Sequence, residues 1–128
     1  MKTPLSTSAA PKAIGPYSQG IEARVARTLW LSGQIPLDPV TGELVKGNIQ
    51  EETARVMENL RAVLASGGAG FEHVVKCTIF LADLGDFAAV NEVYGRYFPK
   101  DPPARATVQV AALPRGARVE IDAVAVLD

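Results

Sequence analysis

Hydrophobic residues recur with the period of an α-helix in two stretches of the chain. The first follows Asn48, which can cap a helix, and ends at the glycines of residues 67–70. The second runs from about Asp86 to Phe98, where Pro99 stops it. The predicted buried positions are Ile49, Val56, Met57, Leu60, Val63 and Leu64 in the first helix, and Phe87, Val90, Asn91, Tyr94 and Tyr97 or Phe98 in the second.

Runs that are rich in β-branched and aromatic residues predict strands. The central strand is His73 to Leu81 (HVVKCTIFL), a run with glycine before it and Asp83 after it. The segment EARVAR is expected to form a hairpin loop between the first two strands, and Met1 to Pro16 suits an edge segment or an ordered arm. The other predicted strands are Ser18 to Ala23, Thr28 to Ile35, Arg105 to Val110 and Val119 to Val126.

The elements follow in the order ββαβαββ, with no repeat and no long linker, so the sequence predicts a single domain over residues 1–128. This order favours an α+β fold in which both helices cover one face of a sheet. The opposite face would carry Trp30, Thr78, Val124 and Val126. A partly apolar face without a cover is expected to associate with other copies of the chain.

Composition and charge argue against several classes of partner. The 128 residues include 13 Lys and Arg against 14 Asp and Glu, which gives no electrostatic basis for binding nucleic acid or an anionic membrane. No apolar run could span a membrane and the N-terminus lacks a signal core, so a cytoplasmic location is expected. One cysteine and one histidine are too few for a disulfide or a zinc site, so no metal is expected.

Four polar residues are candidates for function, each with a structural alternative. Arg105 follows a stiff Pro-Pro-Ala stretch and could bind a carboxylate, although most isolated arginines form surface salt bridges. Glu120 could be a general base or a solvent-facing strand residue. Asn91 could line a pocket or hold the core together, and Tyr17 could offer a hydroxyl at a cleft or anchor packing. Cys77, within an apolar strand, is interpreted as a small buried hydrophobe without a role.

Four segments give the chain a family resemblance. They are AIGPYSQG at 13–20, LSGQIP at 31–36, DFAAVNEVY at 86–94 and PPARATVQVAALPRGARVEIDAVA at 102–125. In this order they closely resemble the RidA (YjgF) family of reactive-intermediate deaminases. The resemblance implies a chorismate-mutase-like, YjgF-type fold, with a mixed β-sheet of about six strands and two helices on one face. It also implies a homotrimer with a barrel-like core and clefts between neighbouring subunits.

The resemblance further implies an enzyme that hydrolyses reactive 2-imino acids and their enamines to 2-keto acids and ammonia, without a cofactor. Its expected substrates are 2-aminoacrylate, 2-iminopropanoate and 2-iminobutanoate. By motif, Arg105 would bind the substrate carboxylate and Glu120 would position or activate the attacking water. The other residues implied at the cleft are Tyr17, Ser32, Gly33, Asn91 and Thr107. Many family members have cysteine at the position of Thr107, so no role for a thiol is expected here.

Two other functions stay open on the sequence. A non-catalytic regulatory module on the same trimer would use Arg105 only to capture small carboxylates. An endoribonuclease or translation inhibitor, an activity attributed to some relatives, fits poorly with the balanced charge.

The spacing of the last two strands bears on how the site is assembled. In a simple hairpin of these strands, Arg105 and Glu120 would lie roughly 13 Å apart, too far for one small substrate. The resemblance instead places the last strand between those at 28–35 and 73–81, with 105–110 at an edge, and favours a site composed of more than one subunit.

Overall fold

Six β-strands and two α-helices make up the fold of the computed structural model, which describes all residues from Met1 to Asp128. In chain order the elements are β1 (Lys2–Leu5), β2 (Gly20–Ala23), β3 (Arg27–Gln34), α1 (Ile49–Ser66), β4 (Val74–Leu81), α2 (Phe87–Arg96), β5 (Ala104–Gln109) and β6 (Val119–Leu127). Both predicted helices are confirmed, as are the strands from β3 to β6. Neither helix combines the length and the apolar character needed to cross a membrane.

Helix α1 begins at the predicted cap. Asn48 Oδ1 accepts a hydrogen bond from the Glu51 N–H (2.8 Å), and Glu51 Oε1 accepts one from the Asn48 N–H (3.4 Å). This reciprocal pair satisfies two amides near the helix start that have no partner within the helix. The predicted buried side of α1 is confirmed except at Val63, which is exposed. The helix ends at Gly67.

Strand order places both helices on one side of the main sheet. Its four strands lie in the order β3-β6-β4-β5, with β4 and β5 parallel and β6 antiparallel to both of its neighbours. Strands β3 and β4 are therefore also parallel, and α1 connects them as α2 connects β4 to β5. The connections from β3 to β4 and from β4 to β5 run in the same direction across the sheet. Because such connections are right-handed, both helices lie on the same face. The α+β class, the mixed sheet and the position of the last strand are confirmed.

The N-terminal part of the chain forms a separate two-stranded sheet that the predicted element order lacks. β1 pairs antiparallel with β2, from Lys2 opposite Ala23 to Leu5 opposite Gly20. The predicted hairpin between β2 and β3 is wrong, because β2 takes its hydrogen bonds from β1. The observed order is βββαβαββ, and the six strands divide between two sheets. Pro4 is tolerated in β1 because that strand lies at an edge.

The two faces of the main sheet differ in what covers them. The face under the helices forms the core, where Cys77, Ile79 and Ile121 are buried. The other face, which we call the open face, carries the alternate residues of the strands. They include Trp30, Lys76, Thr78, Phe80, Val108, Glu120, Asp122 and Val124. Trp30 is 79% exposed, whereas a tryptophan is usually largely buried, so this face lacks a cover within the chain.

Candidate functional site

A cavity of about 280 Å³ opens beside β5 on the helix side of the sheet. Arg105 stands opposite Cys77 in the register of β4 and β5, and residues paired in register share a face. The Arg105 side chain is therefore on the side that the helices cover. We call this the Arg105 cavity, and its lining residues are Ile14, Gly15, Tyr17, Phe87, Asn91, Arg105 and Thr107.

Helix α2 supplies one wall of the Arg105 cavity. Phe87, Asn91 and Tyr94 are spaced by four and three residues, so they lie along one side of the helix. Arg105 Nη1 donates a hydrogen bond to Asn91 Oδ1 (2.5 Å). The guanidinium carbon lies 5.7 Å from the ring centre of Phe87 and 5.1 Å from that of Tyr94. The helical spacing that predicts a buried side thus also forms the wall that faces Arg105.

The opposite wall is the segment from Ile14 to Tyr17. The Tyr17 ring centre lies 5.5 Å from the guanidinium carbon, so three aromatic rings surround Arg105. The Ile14 N–H donates to the Tyr17 hydroxyl (3.3 Å), and the Tyr17 N–H donates to the Gly15 carbonyl (2.8 Å). These bonds fold the segment into a compact turn. Its backbone passes close to Arg105, since a Cβ atom on Gly15 would lie 3.7 Å from Arg105 Nη2.

The charge of Arg105 has no acidic partner in the chain. None of the salt bridges includes it, so the surface salt bridge that the sequence left open is not formed. Partial burial lowers the pKa of the guanidinium, yet arginine stays protonated in proteins. A half-buried cation held by a neutral amide and aromatic rings retains its full charge for a ligand. Its planar fork of N–H groups matches a carboxylate.

Two buried hydroxyl groups lie at the cavity or next to it. Thr107 Oγ1 has no hydrogen-bond partner within the chain, and Tyr94 Oη interacts with the Cys77 thiol. Thr107 follows Arg105 by two residues on β5, so both side chains are on the same face. Cys77 lies near the Tyr94 hydroxyl, and burial raises the pKa of its thiol to about 12. Cys77 is therefore a protonated, buried thiol at neutral pH, as the sequence predicts.

Glu120 lies on the opposite side of the sheet from Arg105. It pairs with Phe80 on the open face, whereas Arg105 is level with Cys77, three residues earlier on β4. β4 also separates β6 from β5. Two strand spacings and three residue steps put the Cα atoms of Arg105 and Glu120 about 14 Å apart, with side chains on opposite faces. Within one chain these two residues do not meet.

Glu120 has its own neighbours on β3. The register of β3 and β6 shifts between Leu31 and Gln34, so Ser32 and Gly33 lie in a bulge beside Glu120. A Cβ atom on Gly33 would overlap the Glu120 carboxylate, so glycine leaves the space that this side chain occupies. The predicted site residues thus form two groups. Tyr17, Asn91, Arg105 and Thr107 line the Arg105 cavity, and Ser32, Gly33 and Glu120 lie together at β3 and β6.

The sequence does not predict three of the cavity residues, Ile14, Gly15 and Phe87. Phe87 is expected on the buried side of α2, but it is 37% exposed because it borders the cavity. Its four-residue spacing to Asn91 is the sequence signal that could have identified it. Ile14 and Gly15 immediately precede the predicted Tyr17 turn, and no local pattern distinguishes them.

A larger cavity, of about 570 Å³, lies between α1, α2 and the residues after α2, and it contains none of the predicted residues. Its two arginines, Arg61 and Arg96, are already paired with Glu58 and Glu92. Its third cation, Lys100, is exposed and shares the lining with Glu72, so the positive and negative charges around this cavity balance, whereas Arg105 has no acidic neighbour in its own cavity. No three His, Cys, Asp or Glu side chains cluster closely enough to hold a metal ion.

Comparison with known proteins gives matches along nearly the whole chain. A family model described as endoribonuclease L-PSP matches residues 7–127. Protein DfrA of Myxococcus xanthus is 68% identical over 117 residues, which is 91% of this chain and 89% of that protein. A Mus musculus protein named 2-iminobutanoate/2-iminopropanoate deaminase is 53% identical over 122 residues, 95% of this chain and 89% of its own. The crystal structure of E. coli TdcF with bound serine matches this fold with a TM-score of 0.76. The two sequences are 39% identical, and the match covers 98% of this chain and 99% of the TdcF chain.

Proposed function

The chain belongs to the RidA (YjgF) family, and from this premise we propose that it hydrolyses reactive 2-imino acids and their enamines to 2-keto acids and ammonia. The proposed substrates are 2-aminoacrylate, 2-iminopropanoate and 2-iminobutanoate. The last two have support in the name of the Mus musculus relative, which matches 95% of the chain.

The unpaired charge of Arg105 is the observation that carries this proposal. All proposed substrates are small carboxylates, and a carboxylate can accept two parallel hydrogen bonds from one guanidinium group. Asn91 occupies Nη1 through one contact, and five N–H donors are available in total, so donors remain for the ligand. Thr107 and Tyr17 border the same cavity and would contact the bound acid.

The chemistry needs one water and one group that can accept a proton. Water attacks C2 of the protonated imine and forms the new C–O bond, while the C=N electron pair moves to nitrogen. Loss of a proton from the added water gives a carbinolamine. Transfer of a proton to its nitrogen and loss of the hydroxyl proton then allow the C–N bond to break, which releases ammonia and leaves the carbonyl of the 2-keto acid. We assign Glu120 to orient this water and to accept its proton, because a carboxylate suits general base catalysis. Arg105 would hold the substrate in one orientation towards that water.

Because Arg105 and Glu120 lie on opposite faces in one chain, the proposed reaction needs a second subunit. We propose that open faces join in a homotrimer with a barrel-like core, and that Glu120 of one subunit completes the Arg105 cavity of the next. The exposure of Trp30 supports this, since an apolar side chain of that size gains stability when a partner covers it. Val108, 42% exposed on the same face, adds to the area that would be covered.

Subunit complementation tests this assembly. Arg105→Ala and Glu120→Ala chains are each expected to be inactive as pure oligomers. When the two are unfolded together and refolded as a mixture, some interfaces would pair an intact Arg105 with an intact Glu120. Activity should then return to a fraction of wild type. A mixed oligomer without activity, formed from variants that fold normally, would contradict a site shared between subunits.

The second candidate is a binding module that captures small carboxylates without turnover. It is favoured by the fact that a single chain supplies every residue that lines the Arg105 cavity, while Glu120 lies outside that cavity. Glu120→Gln separates the candidates, because the amide keeps the size of the side chain but is a poor base. An enzyme would lose most of its turnover and keep its affinity for a 2-keto acid. A binding module would show no turnover in the wild type and the same affinity in both proteins.

Ribonuclease activity has weaker support. Single-stranded RNA binding generally combines a basic groove with aromatic stacking platforms. The chain has a net charge of -1, and Arg105 is the only cation that lines the Arg105 cavity. RNA binding that weakens as salt is raised near physiological ionic strength would favour this alternative.

A further inference from the structure

One wall of the Arg105 cavity belongs to a segment without regular secondary structure. Residues 6–19 connect β1 to β2 and contain neither helix nor strand. Yet this segment carries Ile14, Gly15 and Tyr17 against Arg105. Such a segment keeps a defined shape only where specific contacts fix it, because ordering each residue costs conformational entropy.

Gln19 provides a large share of these contacts. Its side-chain oxygen Oε1 accepts a hydrogen bond from the Thr7 N–H (2.7 Å). Its Nε2 lies within hydrogen-bond distance of three backbone carbonyls, those of Thr7 (3.1 Å), Ala10 (3.3 Å) and Pro11 (2.6 Å). Two N–H groups serve three acceptors, so one of them is shared. A single half-buried amide thus joins the end of the segment to its beginning.

Ser18, the neighbour of Gln19, joins the same segment to the strand that carries Arg105. Its hydroxyl donates to the Pro102 carbonyl, and its N–H donates to the Pro103 carbonyl (3.2 Å). Pro103 is two residues before Arg105. Contacts of Gln19 therefore close the segment, while contacts of Ser18 fix the closed segment next to Arg105.

From these contacts we infer that Gln19 is a positioning residue for substrate binding. It holds residues 7–11 so that Ile14, Gly15 and Tyr17 form the wall opposite α2. Gln19 does not line the Arg105 cavity and touches neither Arg105 nor Asn91. Its effect on the reaction would be transmitted through the shape of that wall. This inference rests on the proposed function for its kinetic test.

Two substitutions and one control separate this role from a general structural role. Gln19→Ala removes all of the contacts. Gln19→Glu keeps the acceptor for the Thr7 N–H but turns an oxygen towards the carbonyls of Thr7 and Pro11, which removes the donors with almost no change in size. Lys12 lines the same small surface cavity as Gln19 and is the charged side chain that could meet the new carboxylate. Gln50→Ala, on the exposed side of α1, is the matched control.

If Gln19 positions the cavity wall, its replacement should change KM and leave kcat nearly unchanged. With a loosened wall, both Gln19 variants should raise KM for 2-iminobutanoate about five- to tenfold and leave kcat within about twofold, while Gln50→Ala matches the wild type. A substitution that merely lowers the amount of folded protein would reduce kcat and leave KM unchanged. Either that outcome or kinetics equal to the wild type would overturn the inference.

Hydrogen exchange tests the role of Gln19 without any need for turnover, so it can be judged separately from the proposed function. The Thr7 amide, which donates to Gln19, should exchange at least tenfold faster in Gln19→Ala, and so should the Ile14 amide. If the wild type has no turnover, the proposed function fails, and the wall is then tested by binding of 2-oxobutanoate in a calorimeter. Weaker binding by Gln19→Ala would support the inference. Unchanged exchange at Thr7 and Ile14, or unchanged binding, would refute it.

Discussion

Replacing Asn91 with aspartate should weaken carboxylate binding without weakening the fold. Arg105 donates to the side-chain oxygen of Asn91 at 2.5 Å, and a carboxylate at residue 91 would accept the same hydrogen bond. The difference is charge. A neutral amide orients the guanidinium group and leaves its positive charge for a ligand, whereas a carboxylate at the same place would neutralise it.

The size of the effect follows from the geometry. The carboxylate introduced by Asn91→Asp and a substrate carboxylate would share one guanidinium group, about 5 Å apart, in a half-buried site. At an effective dielectric constant of about 20 their repulsion is roughly 3 kcal/mol, and solvent at the cavity mouth reduces it to about 2–3 kcal/mol. That is about 30- to 150-fold in Kd. Asn91→Ala, which removes only an orienting hydrogen bond, should cost about 1 kcal/mol, or roughly fivefold.

Calorimetric titration with 2-oxobutanoate measures this directly, with Tm recorded for each variant. Gln50→Glu, which adds the same charge on the exposed side of α1, serves as the control for net charge and should bind as the wild type does. We expect Asn91→Asp to lose affinity while its Tm stays equal or rises, because the new carboxylate pairs with Arg105. Affinity equal to that of the wild type would refute the view that Arg105 holds its charge in reserve for a carboxylate.

Three further outcomes follow from the structure. Burial raises the pKa of the Cys77 thiol from 9.0 to about 12, which lowers its thiolate fraction at neutral pH about 1000-fold, so native protein should react with iodoacetamide about 1000-fold more slowly than unfolded protein, as counted by mass spectrometry, and equal rates would contradict this. Thr107→Val removes a buried hydroxyl that has no partner and should raise the Tm of the ligand-free protein by about 2–6 °C, whereas a lower Tm would mean that the hydroxyl is satisfied. Asn48→Ala removes the cap of α1 and should lower the free energy of unfolding in urea by about 1 kcal/mol, and no change would contradict the capping account.

The spacing of hydrophobic residues predicts the core helices and strands well, because residues that pack against the core must recur with the period of the helix or strand. The stripe from Ile49 to Leu64 and the β-branched run of β4 both pack against the core, so a local pattern carries the information. No such local pattern predicts β1 or its pairing with β2. Lys2 to Leu5 is a short segment with a proline, and its pairing with Gly20 to Ala23 depends on contacts far apart in sequence.

In the candidate site, too, local spacing predicts some contacts, while others depend on how the strands pair. Phe87, Asn91 and Tyr94 share a side of one helix, so their proximity could be derived from spacing alone. That Arg105 joins them depends on the parallel pairing of β4 and β5, which places it opposite Cys77. The separation of Glu120 from Arg105 depends on the position of β6 between β3 and β4, which only the family resemblance implied. The role inferred for Gln19 rests on contacts of an irregular segment, for which no periodic pattern exists.

Hydrolysis of freshly generated 2-iminopropanoate tests the central claim most directly. The imine that remains is trapped with semicarbazide over time, alone and with wild-type protein, Arg105→Ala or the control Arg96→Ala, whose arginine pairs with Glu92 outside the Arg105 cavity. We predict that the wild type and Arg96→Ala accelerate the decay equally, and that Arg105→Ala loses about 100-fold or more of the acceleration. No acceleration by folded wild type, or equal acceleration by Arg105→Ala, would contradict the account.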